Sequence, residues 1–288
     1  MSDQNGYSMA RQVLQQSNYA SQQLLLSQQV RIPTTCDVLT IIGPSTALSQ
    51  AAQKVVGDYL EGGGKLLVAV GPWQDASVTS SVNAVLQPYR VGFSGGLVVD
   101  ADPNHQAQGD PTVPEVYEWG SSPITKDLAG KAVLFPRPTA ITGSPSGTVF
   151  DLATTTNSAY QIAEPRDLTK YLAQRVGDQQ GPFPLMRTVE LDQSSGRVTR
   201  IVLVGSPDFG EDVALSSGAS NQDLLLGTFD WLSQQENLIA ISAKPGPQAL
   251  TVTQQDLYLN GFVTLLLVPG AIGAIGVAVF LRRRRARA

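Results

Sequence analysis

Residues 36–71 read CDVLTIIGPSTALSQAAQKVVGDYLEGGGKLLVAVG, and the order of textures in this stretch decides the fold. The run CDVLTIIGP is apolar and closes on a Gly-Pro turn, as a strand buried on both faces of a parallel sheet does. LSQAAQKVVGDYL follows, with Ser49 placed as N-cap and Ala52, Val55, Val56, Tyr59 and Leu60 on one helical face. EGGGK stops that helix, because glycine enters the left-handed cap conformation at little cost. KLLVAVG is a second buried strand. Strand, helix and strand in this order predict a right-handed parallel crossover.

Upstream, GYSMARQVLQQ and QQLLLS read as one more helix and one more strand of the same sheet. Downstream, SSVNAVLQPYRVGFSGGLVVD predicts a short helix and another strand. Residues 101–125 are loop-like, rich in Pro, Asp, Gly and Gln. Residues 126–195 carry short apolar runs split by prolines and Ser/Thr clusters, a mostly β texture. RVTRIVLVGSPDFG restores a strand and a sharp turn. NQDLLLGTFDWLSQQE is a helix with Leu224, Leu225, Phe229, Trp231 and Leu232 as its apolar positions, and NLIAIS is expected to close the sheet.

The chain ends differently. Residues 259–281, LNGFVTLLLVPGAIGAIGVAVFL, carry no charge over a length that crosses a bilayer as a helix. Pro269 would kink such a helix, which membrane spans tolerate. Gly270, Ala274 and Ala278 recur at spacing four, a small-residue stripe that lets a partner helix approach closely. Arg282, Arg283, Arg284, Arg285 and Arg287 follow. Basic clusters beside a span stay on the cytoplasmic side, so the body is expected outside and the C-terminus inside. The N-terminal MSDQNGYSMARQVLQQ offers no apolar core as an export signal.

Charge supports the membrane reading of the tail. The chain has 20 basic and 24 acidic residues, and without the five tail arginines the body stands at −9. An acidic body is a poor match for phosphate backbones, so no nucleic-acid partner is expected. With 42% hydrophobic and only 15% charged residues, a sizeable core is expected and wholesale disorder is not. Cys36 is the only cysteine, which excludes an intrachain disulfide and a cysteine-based metal site.

Candidate chemistry is sparse. The glycines of EGGGKLL end a helix and enter a strand, the reverse of a phosphate loop. GFSGG, Gly92 to Gly96, matches G-x-S-x-G, but that motif needs a helix directly after the serine, and LVVD is strand-like. The single histidine, His105, lies eleven residues beyond Ser94 in a polar loop. Asp100, Asp102, His105 and Asp110 are metal-ligand types, yet they sit among turn formers, and a solvated loop accounts for them better. Asp208, Glu211 and Asp212 follow a buried strand, where open α/β sheets hold their ligands, which makes Asp208 a candidate crevice residue. The competing account is turn chemistry and an N-cap for the next helix. Cys36 opens a strand with no histidine partner in evidence and is expected as a buried structural thiol. No catalytic, cofactor-binding or metal-binding set is expected.

Several stretches recur in a known order: GYSMARQVL, the 36–70 unit, SSPITKDLAG, VLFPRP, GRVTRIVLVGSPDFG, NQDLLLGTFDWLSQQENLIAI and the Arg-capped final run. Together they resemble the auxiliary component of an ABC-type transport system of the gliding-motility type. The resemblance implies a three-layer α/β parallel-sheet domain like the class I glutamine amidotransferase fold, without its catalytic cysteine. It also implies work beside a separate permease and ATPase. The family shows Gly-Asp-Ser-Asp-Phe after the late strand, where this chain has Gly205, Ser206, Pro207, Asp208 and Phe209. It also has a span, a strand and a Gly-His-Gly-Glu-like turn before GYS, and the expectation is that this chain lacks them.

The expected organisation is an α/β domain in residues 1–100 and 196–245, with a loop-rich, mostly β insertion at 101–195. A linker at 246–258, a transmembrane helix at 259–281 and a basic cytoplasmic tail at 282–288 follow. The leading expectation is a non-catalytic, membrane-anchored auxiliary subunit with an extracytoplasmic body. Alternatives are a membrane-tethered hydrolase or amidotransferase-like enzyme using Ser94 or Asp208, and a cytosolic tail-anchored binding module.

Overall fold

Strand β1 (Leu39–Ile42) pairs in parallel with β2 (Lys65–Ala69), Leu39 opposite Leu66 and Ile42 opposite Ala69. This computed structural model describes residues 6–164, 172–193 and 196–234. Between the two strands runs α2 (Gln50–Glu61), started as expected by Ser49, whose Oγ accepts the Ala52 N–H at 3.2 Å. Ala52, Val55, Val56 and Leu60 are its buried residues. The Tyr59 hydroxyl donates to the Lys65 carbonyl at 3.1 Å and accepts the Lys65 N–H at 3.0 Å, pinning the helix end to the start of β2.

The main sheet runs β1-β2-β12-β11-β8. β12 (Val198–Val204) lies parallel to β2, with Arg200 opposite Lys65 and Val204 opposite Ala69. β11 (Pro184–Asp192) is antiparallel to β12, and β8 (Val149–Thr154) is antiparallel to β11. The sheet is therefore mixed, not wholly parallel as expected. A close reversal joins β11 to β12, with Gln193 N–H donating to the Arg197 carbonyl at 2.7 Å, and so short a connection permits only antiparallel pairing.

Both faces of this sheet are covered. Leu66, Val68, Ile201 and Leu203 pack with Val56 and Leu60 of α2 and with Val82, Val85 and Leu86 of α3 (Ala76–Leu86). Leu67, Ala69, Val202 and Val204 pack on the other side with Ala10 of α1 (Ser8–Gln16) and with Leu224, Leu225, Trp231 and Leu232 of α5 (Asn221–Leu232). The apolar runs Leu66–Ala69 of β2 and Ile201–Val204 of β12 follow from this two-sided burial.

The remaining strands among the described residues form two smaller sheets. One runs β10 (Gln179–Gln180), β9 (Ala159–Ile162), β3 (Gly92–Asp100) and β7 (Thr139–Thr142), all antiparallel. The other joins β4 (Gln106–Ala107), β5 (Asp110–Val116) and β6 (Val133–Leu134). Strands thus come from the 101–195 stretch into all three sheets, and β8 and β11 extend the main one.

One expected strand is absent. Leu26–Gln28 forms a single 3₁₀ turn in place of the sheet strand expected at QQLLLS. Three consecutive leucines carry no period of two; Leu24 and Leu26 tuck against the α2–α3 core while Leu25 stays 53% exposed. NLIAIS, the 246–258 linker, the 259–281 span with Gly270, Ala274 and Ala278, and the tail arginines lie outside the described residues. Among the described residues no helix is long and apolar enough to cross a membrane.

Candidate functional site

Parallel pairing brings the C-terminal ends of β1, β2 and β12 to one edge of the sheet, the place where open α/β folds hold ligands. Here the edge is filled by the chain itself. The Pro207 ring lies so close to the turns after β1 and β2 that a Cβ at Gly43 or at Gly71 would sit 3.4 Å from it. Gly205 has no room for a side chain at all: a Cβ there would lie 2.0 Å from the Thr139 carbonyl oxygen. The Thr139 N–H donates to the Gly205 carbonyl at 2.6 Å, and the Gly205 N–H to the Leu185 carbonyl at 2.8 Å. A 3₁₀ turn, Pro207–Gly210, and the short helix α4 (Asp212–Ser216) complete the rim.

The three acidic residues of this turn have separate duties. Asp208 accepts from Arg137, Nε at 3.0 Å and Nη2 at 2.5 Å. Arg137 itself holds a left-handed backbone, φ 45°, tied by its N–H to the Thr112 carbonyl at 2.8 Å. Its side chain is 62% exposed, so the ion pair contributes little to stability. Asp212 accepts the Met9 N–H at 2.8 Å and the Ser8 hydroxyl, and its own N–H donates to the Gly6 carbonyl at 2.8 Å. The carboxylate therefore caps α1 and not the helix that follows it, which turn chemistry alone would favour. Glu211 lies between them; burial first, and then the Asp208 charge, push its carboxyl above the usual range. Tyr7 covers the turn, its hydroxyl donating to the Pro207 carbonyl at 3.0 Å. Burial, with Glu211 and Asp208 nearby, raises its phenol well above the ordinary value.

Ser94 lies inside β3 where the pairing with β7 is irregular, next to Gly95 at φ 83°. The strand continues to Asp100, so the helix that a nucleophile elbow requires does not follow the serine. Its Oγ accepts from Gln161 Nε2 and shares a hydrogen bond with Thr139 Oγ1 at 3.1 Å. His105 is not brought to it: the ring Nδ1 is 3.1 Å from the Glu115 carbonyl, and the ring stands edge-on to Tyr117.

The loop carboxylates are spent on backbone and hydroxyl donors nearby in the fold. Asp100, 1% exposed, accepts from the Asp102 N–H at 3.1 Å, the Thr156 N–H at 2.9 Å and the Thr156 hydroxyl at 2.6 Å. Asp102 accepts from the Asn104 N–H at 3.0 Å, and Asp110 from the Thr112 N–H at 2.8 Å. Among the described residues no three His, Cys, Asp or Glu side chains converge on a metal position. Cys36 is half-buried against the α2–α3 core, and burial, reinforced by Asp37, raises its thiol, the opposite of activation. A feature not anticipated from the sequence is the open cavity of the 117–130 loop, lined by Tyr117 and Trp119 among others. The signal available was two aromatic residues spaced by one in a polar, Ser-containing stretch.

No curated protein matches the chain. Among solved structures, the N-terminal domain of mmIFT52 superposes with a TM-score of 0.57 at 16% identity, covering 80% of this chain and 91% of that one; the likeness is one of fold. A ThuA-like protein from Parabacteroides merdae matches more weakly, with a TM-score of 0.44 and 14% identity over 81% of this chain and 85% of that one. The family model described as an ABC-type uncharacterized transport system matches residues 1–238, and the chain belongs to that family.

Proposed function

We propose that this protein is a non-catalytic, membrane-anchored auxiliary subunit of an ABC transporter. Its α/β body, of the glutamine amidotransferase-like type, stands outside the membrane and contacts the permease. Residues 259–281 form the anchor, with Gly270, Ala274 and Ala278 packing on a permease helix and the arginines from Arg282 to Arg287 fixing the cytoplasmic end. The observation that supports a binding role over an enzymatic one is the state of the strand-end edge. Pro207 fills it, Asp208 is paired with Arg137, and Asp212 is committed to α1.

Extraction of the native complex in mild detergent tests the reading: the permease and ATPase are expected to co-purify with the full chain, and their absence overturns it. Sidedness is read at Cys36 with a membrane-impermeant maleimide, labelling intact cells after unfolding of exposed domains. Protection by the intact membrane sinks the extracytoplasmic placement. Ester or amide turnover abolished by Ser94→Ala or Asp208→Asn would favour the enzymatic alternative.

A further inference from the structure

Between β5 and β6 the loop folds back to leave an open cavity of about 520 Å³, lined among others by Tyr117, Glu118, Trp119, Ser121 and Lys126. Its frame is tied down. The Tyr117 hydroxyl donates to Glu115 Oε2, and its ring meets His105 edge-on at 5.6 Å between centroids. Trp119 Nε1–H donates to the Lys131 carbonyl at 3.4 Å, and the Lys131 ammonium is paired with Asp223 at 2.9 Å. Thr125 closes the loop on itself, its hydroxyl donating to the Gly120 carbonyl at 2.6 Å, while Ile124 and Leu128 anchor it in the core.

What is left unused inside this frame defines a ligand. Tyr117 is 36% exposed and Trp119 half-buried. Glu118, Ser121 and Lys126 are exposed and have no hydrogen-bond or ion-pair partner among the described residues. Two aromatic side chains beside a free carboxylate, hydroxyl and ammonium match the two kinds of surface on a sugar: C–H faces for the rings, and hydroxyls for the acceptor and the donors. The volume is in the range of small-ligand sites.

We propose that this cavity binds a neutral saccharide of one or two units with equatorial hydroxyls. The rings of Trp119 and Tyr117 carry its apolar face, and Glu118, Ser121 and Lys126 hold its hydroxyls. The assignment does not depend on the transporter reading, and its failure leaves permease co-purification untouched.

The test uses the full chain in a detergent without a sugar headgroup, titrated with cellobiose and with N-acetylglucosamine. Tryptophan fluorescence and saturation-transfer NMR are the readouts. Binding is expected to saturate with a dissociation constant of about 1 mM. Trp119→Ala is expected to weaken it at least about tenfold, Glu118→Gln to weaken it several-fold, and Trp119→Phe to retain it. If Trp119→Ala does not fold, as judged by circular dichroism, the surface change Glu118→Gln decides. No saturable signal with either sugar overturns the proposal. So does an equal signal in the native chain, Trp119→Ala and Glu118→Gln.

Discussion

The carboxylate of Asp212 accepts the backbone N–H of Met9 at 2.8 Å and so caps a helix that lies 203 residues earlier in the chain. With the Ser8 hydroxyl on its other oxygen, the residue satisfies the start of α1 and ties it to the turn after β12. Asp212→Ala is expected to cost about 1–2 kcal/mol, and Asp212→Asn less, because an acceptor remains. Urea unfolding checks this as a lowered midpoint at unchanged slope.

The end of β12 should tolerate no side chain at Gly205. Its Cβ would fall 2.0 Å from a backbone oxygen, where no rotamer offers relief. Gly205→Ala is therefore expected to cost about 3 kcal/mol or more. Gly57, inside α2, should behave oppositely, because a methyl group there would meet nothing within 4 Å. Gly57→Ala is expected to stabilise by about 0.5–1 kcal/mol. The pair of thermal unfolding curves should move in opposite directions from the native one.

Arg187 is 2% exposed and holds Asp151, the Thr142 carbonyl at 3.0 Å and the Gly143 carbonyl at 2.9 Å. It joins β11 to β8 and to the end of β7. Asp151→Ala strands its guanidinium and is expected to cost about 3 kcal/mol. Asp151→Asn keeps an acceptor and should fall between that and the native protein, as chemical denaturation would reveal.

Glu211 gives the strand-end turn a pH dependence. Its carboxyl is raised by burial and by Asp208, so the fold favours the protonated form. That contribution is fully present below the ordinary glutamate value and is lost as pH rises through the raised one. Glu211→Gln is expected to increase stability at neutral pH and to flatten this part of the profile. Melting temperatures across the acid range would contradict the assignment if the native and substituted proteins ran parallel.

The β1–α2–β2 unit was legible because each boundary is punctuated locally: Ser49 opens the helix and a glycine run ends it. Three features were not. The leucines at 24–26 gave hydrophobicity without a period, and the chain uses them as a cover over α2 and α3 instead of as a strand. The place of β11 in the main sheet was hidden because its run, PLMRTVELD, mixes apolar and polar residues and reads as part of a separate β insertion. The partner of Asp212 could not be found locally, since a cap supplied from 203 residues away leaves no spacing to detect. At the 117–130 loop the aromatics are visible in the sequence and their bonds are local, Tyr117 to Glu115 and Trp119 to the Lys131 carbonyl, but the periodicity of a strand or helix does not show the fold-back that brings them together.

β12 is buried on both sides, and that changes where its alignment is stored. In a strand with one wet face, a one-step slip drives apolar groups into water and is rejected along its whole length. A slip of β12 would only exchange Val202 and Val204 for Ile201 and Leu203 between two oily layers. The middle of the strand thus supplies adhesion and no address. The address is written at its extremities: Gly205 fits against Thr139 at one end, and at the other the Arg200 guanidinium sits 4.8 Å from the Trp231 ring and bonds Glu190.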